Sequence, residues 1–91
     1  MNNHERLAAE GQLAVARQEL EKLERQDARL GGLVKQADDL REAVAKELGR
    51  LSHEHLKARE TFLFLADARG DCMASITRMR LSIQTLEESL K

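Results

Sequence analysis

The side chains best suited to chemistry in this chain are the imidazoles of His53 and His55, the carboxylate of Glu54 between them, and the single thiol of Cys72. On a helix, residues two apart point about 200° from each other, so His53 and His55 cannot share one metal ion. The zinc-protease spacing puts its histidines four apart instead. His55 is therefore expected to be a polar residue of a helix seam, of the kind that sets register.

Cys72 follows Arg69-Gly70-Asp71, a tripeptide that reads as turn chemistry. If Asp71 capped a helix there, first-turn amides would favour a thiolate. No histidine lies near Cys72 in sequence to act as its base, and a packed small hydrophobe is the expectation. The chain has no glycine-rich phosphate loop, nucleophile elbow or paired-cysteine pattern. Neither an enzyme nor a cofactor or metal site is expected.

Charge argues against a polyanion partner. Fifteen basic residues face sixteen acidic ones for a net charge of −1, and the two signs alternate along the chain. Lys57 with Arg59 and Arg78 with Arg80 are near-neighbour basic pairs, but no aromatic platform accompanies them, and a solvated helical face explains them. A lone cysteine fits a reducing compartment, and the first residues lack the basic-then-apolar order of a signal peptide. With no 18-residue apolar run, no membrane span is expected and the cytoplasm is the expected location.

These side chains must be positioned by helices. Of 91 residues, 42% are apolar and 34% charged, proline is absent, and the only aromatics are Phe62 and Phe64. Ala, Leu, Glu, Arg, Gln and Lys dominate, all of which lose little entropy in a helix. The fold class is all-α, in a single domain spanning 1–91. Asn2 or Asn3 can cap a first helix over about 3–30. Gly31-Gly32 then predicts a break, since two glycines lose roughly 1 kcal/mol each relative to alanine. A second helix runs over about 33–69, with Gly49 as its one interior glycine, and a third over about 71–90 after the Gly70 break.

One apolar register spans all three segments. Leu13, Ala16, Leu20 and Leu23 begin it, Cys72, Ile76, Met79, Ile83, Leu86 and Leu90 end it, and neither break shifts its phase. Its polar members, Asp27, Arg41, His55 and Arg69, recur every second heptad. One architecture with this register is a single very long coiled-coil helix. The preferred one is an antiparallel helical hairpin of up to three helices, turning near Gly32 and Gly70. In it Leu51 lies where all three helices converge, Leu13 faces Leu51, and Asp27 lies one layer from Arg41, within reach of an ion pair.

Leu33 and Leu40 flank the seam on one side and Leu56 and Leu63 on the other, with Phe64 further round. A stripe this wide in so short a chain calls for a second layer, which a homodimer forming a helical bundle would supply. Leu56, Phe62, Leu63 and Phe64 form the densest candidate patch for a protein partner, with dimer core as its competing role. The expected function is a small homodimeric helical adaptor or regulator that binds another protein through exposed apolar helix surface. The alternatives are a nucleic-acid-associated regulator and a structural coiled-coil segment of a larger assembly.

Overall fold

The computed structural model describes residues 2–91. Two long helices make up almost all of it, α1 over Asn3–Leu48 and α2 over His53–Ser89, folded against each other as an antiparallel hairpin. The result is a rod with extents of 67 × 15 × 15 Å. A helix of α1's 46 residues should be about 69 Å long at 1.5 Å per residue, so the rod is one helix in length and one layer thick. The radius of gyration is 20.1 Å, where a compact domain of this size would have about 12 Å.

The chain therefore turns once, at Gly49–Ser52, and not at Gly31-Gly32 and Gly70. This corrects the three-helix boundaries of 3–30, 33–69 and 71–90. The reason lies in the helix ends. Every break leaves about four amides and four carbonyls without helical partners, and the stretch at residues 49–52 supplies replacements. The Gly49 amide donates to the Ala45 carbonyl at 3.0 Å, and the Ser52 amide donates to the Gly49 carbonyl at 3.2 Å. Ser52 Oγ also donates to the Gly49 carbonyl at 2.8 Å and accepts from the His55 amide at 3.1 Å, capping α2. Gly49 sits at φ +88° and ψ 155°, a region used almost only by glycine that costs an L side chain about 1–3 kcal/mol. Gly31, Gly32 and Gly70 remain inside helices, where each gives up about 1 kcal/mol of propensity but no hydrogen-bonded turn.

At the other end Asn2 caps α1. Its side chain accepts from the Glu5 amide at 2.8 Å while Glu5 reaches back to the Asn2 amide, a reciprocal capping box.

Between these ends the predicted register is the seam. Every register position from Leu13 to Leu90 is buried or half-buried, with the exceptions of Leu48 and Leu51 at the turn. Leu13, Ala37, Cys72, Ile76 and Ile83 are its buried apolar members, joined by Ala9 ahead of it, and among the described residues no side chain is completely enclosed. Leu51, expected at the convergence of three helices, is instead 93% exposed at the tip of the hairpin. Among the described residues no helix is long and apolar enough to cross a membrane.

Candidate interaction surface

The polar seam residues show how the single turn organises the rod. Asp27 and Arg69 lie equally far from residue 48, as do Arg41 and His55. Folding there brings Arg69 Nε to 3.3 Å from Asp27 Oδ1 across the two helices. This replaces the expected Asp27–Arg41 pair, because both of those residues belong to α1. Gly31 lies directly beside the crossing. A Cβ at Gly31 would lie only 3.0 Å from Arg69 Cζ, so the glycine leaves space for the guanidinium to reach Asp27.

Arg41 is satisfied on its own helix. Its guanidinium donates to Asp38 at 2.6 and 3.0 Å and lies 5.4 Å from the centroid of the Phe62 ring on α2, a cation–π contact across the seam. His55 is buried, and its Nδ1–H donates to the Arg50 carbonyl at 2.7 Å, tying α2 to the turn that precedes it. Its Nε2 is buried with no hydrogen-bond partner among the described residues. The imidazole is thus a strut of the turn. His53, two residues away, is exposed, and no group of three potential metal ligands gathers among the described residues.

Cys72 does not start a helix. It lies inside α2, buried, with its thiol donating to the Leu23 carbonyl of α1 at 3.4 Å. The Arg69-Gly70-Asp71 tripeptide is likewise continuous helix. Neither feature presents a reactive group.

What the rod does present is apolar surface on both edges of its seam. On one edge, cross-helix ion pairs roof the terminal half, Arg17 with Glu87 at 3.3 Å and Glu24 with Arg80 at 3.7 Å. Met73 is exposed on α2 beside these pairs, and past Asp27 and Arg69 toward the turn Leu56 and Leu63 are exposed on the same side of α2. On the opposite edge Leu33 and Leu40 of α1 are exposed, and further round α2 on that side Phe64 is 73% exposed. Nearer the termini a shallow groove of about 590 Å³, lined by Gly11, Gln12, Val15, Ala16, Glu19 and Met79, continues it.

The four residues expected to form one patch are therefore divided. Leu56 and Leu63 share a face, Phe62 is half-buried in the seam beneath Arg41, and Phe64 points to the other side. Sequence reasoning passed over Met73 and Val15, exposed apolar side chains outside the register. Compared with family models, characterised proteins and solved structures, the chain matches no family model and shows no significant similarity to a characterised protein or to a solved structure.

Proposed function

We propose that this protein is a small homodimeric helical adaptor or regulator that binds another protein through exposed apolar helix surface. The observation that carries the reading is the excess of accessible area. The chain exposes 6914 Å², whereas a compact monomer of 10.3 kDa would expose about 5,400 Å². A standard interface covers about 800 Å² on each partner. The surplus of about 1,500 Å² is thus large enough for one self-contact and one further partner. Exposed leucines on both edges of the seam give each contact an apolar centre.

The face of Leu56 and Leu63 is the surface we assign to the protein partner. Both residues are exposed on α2 and sit in line one heptad apart, the arrangement a partner helix reads as successive anchors. The test immobilises the parent and the Leu56→Glu/Leu63→Glu variant and exposes both to lysate of the native host. A partner kept by the parent and lost by the variant, with both proteins melting alike, is the expected result. Equal retention by the two would remove this face from the reading.

One observation favours the nucleic-acid alternative. Lys22, Arg25 and Arg29 line a shallow depression on the outer surface of α1. A random DNA duplex distinguishes the two readings: binding at near-physiological ionic strength that weakens steeply with added salt would support the alternative, and absence of binding would support the adaptor.

A further inference from the structure

We infer that the edge bearing Leu33 and Leu40 is the self-association face, and that two hairpins pack on it in parallel, turn beside turn. The inference rests on the homodimeric part of the reading above and names its surface and geometry. The two edges of the seam differ in chemistry. The edge of Arg17–Glu87 and Glu24–Arg80 has its ion pairs already made within one chain, and covering it would strip those charges of water.

The opposite edge consists of the residues that immediately precede the seam positions at seven-residue steps from Leu13. On α2, past Glu54 beside the turn, these are Thr61, Ala68, Ser75 and Ser82, all small and uncharged, and on α1 they include Gln26, Leu33 and Leu40 between Glu19 and Glu47. Long side chains therefore project from one helix of this edge and short ones from the other. A two-fold axis along the rod lays α1 of one copy over α2 of the next at the same distance from the turn. Leu33 then comes level with Ala68 of the second copy, and Leu40 with Thr61. Large side chains meet small ones twice over, the condition for layers to interdigitate without voids.

A two-fold axis across the rod does the opposite. It lays α1 on α1 and α2 on α2, so that the short line of Ala68, Ser75 and Ser82 faces itself across a gap. With the rods fully overlapped, Leu33 would oppose Glu19 of the second copy. Charge opposes the parallel arrangement only beside the turn, where Glu47 comes level with Glu54 of the second copy; further along, Arg29 comes level with Asp71 while Lys22 comes level with Arg78. Size matching and desolvation select it.

The self-contact needs about 800 Å² from each chain, roughly half of the surplus area. It leaves the Leu56 and Leu63 face open.

The experiment uses the full chain and two readouts. Sedimentation compares the parent with Leu33→Lys/Leu40→Lys and with Leu56→Lys/Leu63→Lys, all four positions being exposed in the single hairpin. The expected result is a dimeric parent, at least a tenfold weaker dimer for the first variant, and an unchanged dimer for the second. Leu51→Cys, at the 93% exposed tip, is then treated at low protein concentration with a short bismaleimide. Turn-beside-turn packing gives a covalent dimer in high yield, whereas the crossed arrangement separates the two tips by nearly the 67 Å length of the rod and gives none.

A parent that is monomeric throughout the micromolar range would overturn both this inference and the homodimeric reading. A parent dimer that survives Leu33→Lys/Leu40→Lys, or that fails to cross-link through its tips, would overturn this inference alone.

Discussion

The cross-helix pair of Asp27 and Arg69 yields a prediction whose sign depends on the glycine beside it. The ions are 3.3 Å apart, with Asp27 24% and Arg69 40% exposed at the side chain. Fully exposed pairs contribute about 0–1 kcal/mol, and removing one partner of a buried pair costs about 3–5 kcal/mol. Arg69's exposure lets solvent screen it, placing the coupling near the lower range, about 1–1.5 kcal/mol. Asp27→Ala and Arg69→Ala should each destabilise, and the double variant should lose less than their sum by that amount. Gly31→Ala adds the sharper test. In an open helix interior it gains about 1 kcal/mol, but here its Cβ meets the guanidinium at 3.0 Å, which must give by a few tenths of an ångström and weakens its hold on Asp27. The gain should be reduced in the parent and reappear in full once Arg69 is alanine. Urea melts followed by helical circular dichroism, all at one protein concentration, measure each corner. Coupling below about 0.3 kcal/mol in the Asp27–Arg69 cycle, or the same Gly31→Ala effect in both backgrounds, would refute the crossing.

Other substitutions test the turn and the seam. Leu51→Ala should melt with the parent because the side chain is almost wholly in water, whereas Gly49→Ala should lose about 1–3 kcal/mol by forcing a side chain into φ +88° and ψ 155°. Ser52→Ala removes the cap of α2 and should cost about 1 kcal/mol in the same melts. Ile76→Ala, in the buried seam, should cost about 2–5 kcal/mol, and a loss below 1 kcal/mol would take Ile76 out of the core. Cys72 should react with a thiol reagent at least a hundredfold more slowly in native buffer than in denaturant, given its burial and its bond to Leu23.

The seam was legible in the sequence and the turn was not, for one physical reason. A heptad register reports which side of a helix wants cover, and it runs through Gly49–Ser52 as smoothly as through Gly31-Gly32, since Leu48 and His55 stand one heptad apart. Phase therefore carries no information about where the chain reverses. Glycine count pointed the wrong way as well. Two glycines together weaken a helix, but they end it only if something else takes up the freed amides, and near Gly31-Gly32 nothing does. Gly49 followed three residues later by Ser52 holds both parts, a residue that accepts positive φ and a side chain that caps the next helix. That local pair was the available signal.

The polar seam residues carry the second signal, and it bears on the interaction surface. Asp27, Arg41, His55 and Arg69 recur every second heptad, which suggests a repeat. A reversal at residue 48 turns the same spacing into mirror symmetry, with the acidic residue at one end of the series opposite the basic residue at the other. A turn near Gly32 would have left Arg69 with no acid across the seam. Of the inner two, Arg41 is satisfied locally by Asp38, and His55 bonds the Arg50 carbonyl through Nδ1. With the seam's charges met inside one chain, the apolar residues beside it are what remains for another molecule. The expected patch failed because Leu56, Phe62, Leu63 and Phe64 are neighbours in sequence, whereas a helix distributes neighbours around its axis. Residues one heptad apart share a face, so Leu56 with Leu63 and Leu33 with Leu40 are the pairs that a partner can meet together.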